Sequence, residues 1–364
     1  MSKKCIFFSI GTRPEAIKLA SAIHAAERNP NFKNYICVTN QHTDLLCNFL
    51  KRLEIAPDYF FKQNSYTQSL HTNLSFMLNE FEAILKKIRP VVVVVQGDTT
   101  TAFAAALSAH YLKIPVAHIE AGLRTNDLFS PWPEEAHRAM IDQLSSYLFA
   151  STEIAKSNLI SCGIQKKKIW TVGNTNIDIL KGYLQDPVPQ KDFDNPRVLV
   201  AVHRRENHGK PLRAISQGLL DLKKRFPKIQ IKVLLHPNPV VREAFLSTLG
   251  KTQGIELKNP MDQLSLFEQM KNALFLLTDS GGLQEEAPYL GLPVLVARKT
   301  TERPEGLLAG TARLVGTSSS SILDHCTELL QDPELVRKMS KRHEPYGQGD
   351  SGDRIISALS EEML

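Results

Sequence analysis

The chain has 364 residues, 42% of them hydrophobic, and a formal charge of +6. That length points to two domains, with apolar residues enough for two packed cores. No apolar run nears the ~20 residues of a membrane helix, and the charge is too modest and scattered for a nucleic-acid face. What the charge suits is a small acidic ligand. Lys166-Lys167-Lys168 is the one basic run and reads as a solvated turn. The five cysteines are scattered, odd in number and without metal or redox spacing, as reduced thiols in a cytoplasm are. Met1-Ser2-Lys3-Lys4 leads straight into a strand pattern, so no signal peptide is expected.

Strand-like runs come in two series. The first is Cys5–Ile10, Tyr35–Thr39, Val91–Gln96, Pro115–Glu120, Tyr147–Ala150 and Ile169–Val172. Helical patterns separate them. The clearest is Gln68–Lys87, where Leu70, Leu74, Met77, Leu78, Phe81, Ile84 and Leu85 keep a 3.6-residue spacing. After the polar, proline-bearing stretch Asp186–Pro196 come Val198–Val202, Gln230–Leu235, Ile255–Lys258, Ala273–Leu277, Val294–Val296 and Arg313–Val315. Short, continuous apolar strands alternating with helices predict parallel sheets covered on both faces. The fold class is α/β, with two doubly wound Rossmann-like domains. Their expected extents are residues 1–172 and 173–349, with a last helix, 350–364, crossing back to the first.

In such sheets ligands sit beyond the carboxyl ends of the strands, and polar clusters fall there. In Gly11-Thr12-Arg13-Pro14-Glu15-Ala16-Ile17-Lys18, a capping box accounts for Thr12 and Glu15, with Pro14 near the first helical position. It leaves Arg13 and Lys18, two cations suited to an anion. In Gln96-Gly97-Asp98-Thr99-Thr100-Thr101 the threonines read as caps, and Asp98 reads equally as cap or as catalytic acid. Glu120 ends a strand; it is either functional or paired with Arg124. A long connection from Gly122 to Pro133 runs into Glu134-Glu135-Ala136-His137-Arg138, and loops of that length are usually functional. His203-Arg204-Arg205-Glu206-Asn207 directly follows a strand of the second series.

Thr278-Asp279-Ser280-Gly281-Gly282-Leu283-Gln284-Glu285-Glu286 is the most telling segment. It joins a buried strand to a helix. Ser280 alone fits an ordinary cap. Gly281 and Gly282 leave backbone N–H groups bare at the positive end of the helix, which is an anion site. A carboxylate one turn on can hold ribose hydroxyls. No Gly-x-Gly-x-x-Gly follows the first strand, and no His, Cys or acid cluster has chelate spacing, so neither a dinucleotide nor a metal is expected. The expected ligand is a nucleotide carrying a group that needs acid–base chemistry, held in a cleft between the domains.

In this order and spacing the motifs identify a family. GTRPEAIKLA (11–20), QGDTTTAFAA (96–105), HIEAGLRT (118–125), SPWPEEAHR (130–138), VGNTNID (172–178), HRREN (203–207), TDSGGLQEEAPYLGLPVL (278–295) and TTERPEGLLAGTARLVG (300–316) run over nearly the whole chain. It resembles the non-hydrolysing UDP-N-acetylglucosamine 2-epimerases, which share the architecture of B-type glycosyltransferases, two such domains facing across a cleft.

The resemblance implies reversible conversion of UDP-GlcNAc to UDP-ManNAc without NAD. A base removes the C2 proton as UDP leaves C1, giving 2-acetamidoglucal; UDP then adds back while a proton arrives on the other face. Asp98, Glu120, Glu134 and His203 match the acid–base positions. Arg13, Ser280, Gly281 and Gly282 can supply the diphosphate contacts, with Lys18 a further cation expected on the substrate, while Glu286 matches the ribose acid and Arg303 another nucleotide contact. Leu266 falls in the uracil segment, with Met261 where the family often has Gln and Leu266 where it often has Phe. A second, activating UDP-GlcNAc site is matched by Gln41, Glu134, Arg204 and His236. There Asp44 replaces a common Gln and Thr67 a common Arg, which loses a charged fork and adds a repelling carboxylate, so activation is expected to be weak or absent. The family also implies a homodimer. A hydrolysing 2-epimerase, a retaining glycosyltransferase and a nucleotide-sugar sensor are the alternatives at this stage.

Overall fold

The computed structural model describes residues 3–39, 49–61, 69–183, 190–341 and 344–363. Seven parallel strands form the first sheet: β1 (Lys4–Ile10), β2 (Phe32–Val38), β3 (Tyr59–Phe60), β4 (Val92–Gln96), β5 (Val116–Ala121), β6 (Tyr147–Ala150) and β7 (Ile169–Thr171), in the order β3-β2-β1-β4-β5-β6-β7. Six more form the second: β8 (Arg197–Ala201), β9 (Gln230–Leu234), β10 (Ile255–Lys258), β11 (Phe275–Thr278), β12 (Val294–Val296) and β13 (Ala312–Leu314), in the order β10-β9-β8-β11-β12-β13. The fold is the expected pair of doubly wound parallel sheets.

The apolar runs are strands because they are buried on both faces. In β4, Val92, Val94 pack to one side with helix Arg13–Arg28, and Val93, Val95 to the other with helices Leu70–Ile88 and Thr100–Tyr111. Helix Leu70–Ile88 begins where Ser69 Oγ accepts from the Thr72 N–H at 3.3 Å, and it buries Met77, Phe81 and Leu85. Phe81 meets Phe7 and Phe61 edge-on. The expected start of that helix, Gln68, lies outside the described residues. Most strand ends fall within a residue of the sequence reading, and three larger differences stand out. β2 begins three residues early, at Phe32, because Lys33 and Asn34 pair with β1 despite their polarity. β3 was not expected, since two residues leave no periodic signature. β11 starts at Phe275, not Ala273, although Ala273 and Leu274 are both buried.

The chain divides into two compact units, Met1–Lys181 with Tyr346–Leu364, and Gly182–Pro345. The expected break after Val172 lies earlier because helix Thr175–Tyr183 belongs to the first unit as far as Lys181. Its Ile177 and Leu180 are buried, and its Asp178 accepts from the Ser351 and Gly352 N–H groups at 3.1 and 2.7 Å. That carboxylate caps the last helix, Ser351–Met363, where the helix dipole is positive. Among the described residues no helix is long and apolar enough to cross a membrane.

The last helix lies so close to helix Arg13–Arg28 that a Cβ on Gly352 would sit 2.5 Å from the Ser21 carbonyl carbon. Alanine normally stabilises a helix relative to glycine. Here Gly352→Ala should instead cost about 1–3 kcal/mol in urea unfolding, the range for overpacking. Unchanged or increased stability would show that the two helices do not pack this closely.

Candidate active site

Strand order reverses between β1 and β4, and between β8 and β11. Ligand crevices of doubly wound sheets form at such points. In the first unit, Thr12 caps helix Arg13–Arg28 by accepting from the Glu15 N–H. Glu15 reaches beyond the cap: Oε2 accepts from the Gly11 N–H at 3.1 Å and Oε1 from Thr99 Oγ1 at 2.7 Å. It thus joins the loop after β1 to the loop after β4. Glu15 is 1% exposed, and burial pushes its carboxyl up to about 7 against the opposing hydrogen bonds from Thr99, Thr12 and Gly11. Arg13 beside it is exposed, its guanidinium 5.8 Å from the Phe49 ring centre.

Asp98, next to Thr99, is held from helix Glu134–Leu144. Arg138 Nη2 lies 2.5 Å from its Oδ2, and His137 Nδ1 lies 3.1 Å from its carbonyl. Glu120, the penultimate residue of β5, has φ +68°, a region costly to a non-glycine residue and concentrated at functional sites. The β5–β6 register shifts at the same point. Its carboxylate meets Lys18 Nζ at 2.5 Å and Gln96 Nε2. Of the two readings of Glu120, the pairing with Arg124 is not the one formed: Arg124 binds Asp142 at 2.6 Å. Lys18, expected to bind an anion beside Arg13, is engaged by Glu120, because five residues along the helix from Arg13 it stands over the end of β5.

Asp142 was not singled out from sequence, yet it is a hub. It is fully buried, with Oδ1 2.7 Å from His118 Nδ1 and Oδ2 accepting from the Gly122 N–H at 3.3 Å. The other His118 nitrogen lies 2.8 Å from the Gly97 carbonyl. Both turns flanking Asp98 and Glu120 are thereby tied to helix Glu134–Leu144. The only sequence signal was an acid beside buried Ile141. Glu134 is the first residue of that helix and half-buried. The preceding loop is pinned by Glu135 Oε1, which accepts from the Thr125 and Asn126 N–H groups at 2.8 and 3.2 Å.

In the second unit, Asp279 plays the part that Glu15 plays in the first. It is fully buried. It accepts from the N–H groups of His203 at 3.0 Å and Arg204 at 2.8 Å, and from Asn207 Nδ2 at 2.7 Å. The loop after β8 is thus fixed to the end of β11. The His203 ring stacks on His236, centres 4.9 Å apart and planes 16° off parallel. Burial pushes both rings below the usual imidazole range, with Asp279 opposing.

Ser280 is the N-cap of helix Gly281–Tyr289 and makes no side-chain cap bond. The first N–H groups of a helix have no intrahelical partner. A Cβ on Gly281 would meet the Arg303 guanidinium carbon at 2.5 Å, so only glycine lets that plane lie against the turn. Arg303 Nε donates to Glu285 Oε1 at 2.6 Å and Nη1 to Glu302. Arg298 bridges Glu206 and Glu302 at 2.6 Å each, and Arg204 stands 3.7 Å from Glu302. Burial opposes the charge on Glu302, but Arg303, Arg298 and Arg204 hold its carboxyl down to about 2. Three guanidiniums face three carboxylates, so the turn offers an anion mainly backbone N–H groups.

Glu286, 2% exposed, accepts from Gln263 Nε2 at 3.1 Å, which ties it to helix Gln263–Lys271 carrying half-buried Leu266. The structure thus gathers Arg13, Lys18, Asp98, Glu120 and Glu134 around the carboxyl ends of the first sheet. It gathers His203, Arg204, His236, Ser280, Gly281, Gly282, Glu286 and Arg303 around those of the second. Gln41, Asp44 and Thr67 lie outside the described residues. Among the described residues no group of three or more His, Cys, Asp or Glu is placed to hold a metal.

Glu15 titrates near 7 in the folded chain against 4.5 as a free side chain. Its proton therefore favours folding. The stability it contributes is whole below pH 4.5 and is lost as pH rises through 7, on the order of 3 kcal/mol. Urea unfolding of the protein and of Glu15→Gln at pH 4.5 and 7.5 should show a smaller pH-dependent loss in the variant. Identical losses would show that Glu15 does not titrate in this range.

The profile of the family described as UDP-N-acetylglucosamine 2-epimerase matches residues 24–360. The UDP-N-acetylglucosamine 2-epimerase of Escherichia coli K12 is 42% identical over 368 residues, spanning 97% of this chain and 98% of the relative. The crystal structure of the UDP-GlcNAc 2-epimerase from Neisseria meningitidis bound to UDP-GlcNAc superimposes with a TM-score of 0.91 at 40% identity, over 98% of this chain and all of that one. The enzyme of Methanocaldococcus jannaschii, in complex with UDP-GlcNAc and UDP, does so with a TM-score of 0.83 at 36% identity, over 98% of this chain and 99% of that one. The chain belongs to the UDP-N-acetylglucosamine 2-epimerase family of isomerases.

Proposed function

We propose that the protein interconverts UDP-GlcNAc and UDP-ManNAc without hydrolysis, by eliminating UDP across C1–C2 and adding it back to 2-acetamidoglucal. The observation that carries this reading is the pair of strand-order reversals whose loops are held by buried Glu15 and Asp279, one set rich in acid–base groups and the other in bare N–H groups. A C2–H is a weak acid, so departure of UDP must share the work of breaking it. The N–H groups of Gly281 and Gly282 with Ser280 and Arg13 stabilise the charge growing on the diphosphate. Glu286 takes the ribose, Arg303 fixes the turn, and the helix bearing Leu266 borders the base. Inversion needs a proton acceptor on one ring face and a donor on the other. Asp98, Glu120, Glu134 and His203 are the groups for these roles. His203, held below the usual imidazole range by burial, is neutral near pH 7 and able to accept a proton. The product serves as a ManNAc-type precursor for surface polysaccharide, made by a cytoplasmic homodimer.

Incubation with UDP-GlcNAc in heavy water, followed by NMR, should give UDP-ManNAc carrying deuterium at C2, with no NAD or metal added. Asp98→Asn, Glu120→Gln, Glu134→Gln and His203→Asn should each lower turnover by about 10²-fold or more, the usual size of a lost general acid or base. Product without deuterium, or a need for NAD, overturns the elimination. Free ManNAc with UDP as the sole products would make the enzyme a hydrolysing one.

UDP binding separates the nucleotide roles from the chemistry. Glu286→Ala and Arg13→Ala should each weaken UDP by ~1.5–3 kcal/mol, the size of a lost charge-assisted contact. Calorimetric titration with unchanged affinity in both variants would contradict those assignments.

A further inference from the structure

A second polar pocket lies in the unit Gly182–Pro345, at the amino-terminal ends of β8 and β11, away from the loops that carry His203 and Ser280. It is a cavity of about 220 Å³ walled by Lys191, Arg197, Lys271, Asp192, Asn195 and Asn272 among others. Lys191 Nζ donates to the Ala273 carbonyl at 2.8 Å. An ammonium has three hydrogens to give, and this is its one partner among the described residues. Burial pushes the amine down to about 8, as happens to a cation short of an anion. Lys271 is 6% exposed, with Glu268 3.3 Å away on the outer side, itself 59% exposed. Arg197 opens to solvent. The acid on the wall is Asp192, whose Oδ1 already accepts from the Asp194 and Asn195 N–H groups at 3.0 and 2.9 Å. Three cations thus surround the cavity, with one partly engaged carboxylate, Asp192, on its wall and Glu268 beside Lys271 on the outer side.

The pocket adjoins a groove of about 550 Å³ that shares Arg197, Asn272 and Ala273 with it. Amide and charged side chains line the groove, Gln230, Lys232, Glu256 and Gln269 among them. Lys232 Nζ donates to Gln269 Oε1 at 2.5 Å and stands 3.5 Å from Glu256. Val198, Leu199, Ile231 and Ile255 line the rest, so the polar side chains offer partners to hydroxyl groups over an apolar floor that takes the carbon skeleton.

We propose that this pocket binds a phosphate monoester of a polyol, its phosphoryl group against Lys191, Arg197 and Lys271 and its hydroxylated body along the groove. A guanidinium fork with two ammoniums matches a phosphoryl dianion in charge and geometry. The proposal is independent of the nucleotide site, which lies at the other end of the strands.

The test is an NMR titration of the isotope-labelled full-length protein with inorganic phosphate and, separately, a hexose 6-phosphate. The side-chain amides of Asn195 and Asn272 report this pocket; the backbone amides of Gly281 and Gly282 report the nucleotide turn. Both probes should shift the asparagines saturably, the ester more tightly than phosphate. Lys191→Met and Arg197→Ala should each weaken the ester by about tenfold or more. Arg197 is exposed, so its variant carries the test should Lys191→Met not fold. Shifts confined to Gly281 and Gly282, or affinity unchanged in Arg197→Ala, overturn the proposal. Equal affinity for phosphate and ester overturns the role of the groove.

Discussion

A buried carboxylate stands at each reversal of strand order, and the candidate site depends on both. Where two neighbouring strands send their chains in opposite directions, two loops emerge side by side with backbone N–H groups that no ladder pairs. A buried N–H left unpaired is costly. Glu15 answers this in the first sheet by accepting from Gly11 and Thr99. Asp279 answers it in the second by accepting from His203, Arg204 and Asn207. In both cases a site residue lies next to one that the carboxylate holds: Asp98 before Thr99, and the His203 ring on the backbone that Asp279 grips. A small acceptor buried behind the loops therefore decides where the reactive groups stand.

The same economy of charge runs through the site. Lys18 faces Glu120, Arg138 faces Asp98, and Arg303 faces Glu285 and Glu302. Each charge is matched within its own unit. Such pairs add little net stability once desolvation is counted, but they fix orientation before a ligand arrives. That is what electrostatic stabilisation of a transition state requires, since dipoles already in place need no reorganisation during reaction. The left-handed backbone at Glu120 fits the same pattern. Its local cost is borne by the ion pair and the Gln96 contact that hold the carboxylate.

The fold was legible because its strands are apolar on both faces, and a continuous Val, Ile or Leu run is hard to read as anything else. Val92–Gln96 and Tyr147–Ala150 are cases where burial leaves the strand no polar side to blur its ends. β3 escaped because it is two residues long. The site was legible wherever polar residues cluster directly after such a run, as at Asp98, Glu120, His203 and Ser280. Partners were not. Glu120 and Arg124 look like a pair in sequence, but the turn at Gly122 sends Arg124 toward Asp142, while Lys18 arrives from a helix more than a hundred residues away. The anchoring roles of Asp142 and Asp279 did not show in sequence, because a buried acceptor is defined by the N–H groups it meets, and those come from other elements. Glu15 was read as a cap, and its cap explained it so well that its second task went unseen.

The histidine pair shows what this anchoring permits. His203 was read as an acid–base group and His236 as part of a second ligand site, yet their rings are stacked. Each imidazole, if protonated, disfavours a proton on the other, and burial already disfavours it on both. The backbone of His203 is held in place, because its N–H donates to both oxygens of Asp279. A charge on His236 therefore bears first on the His203 ring stacked against it, while Asp279 holds the backbone beneath that ring.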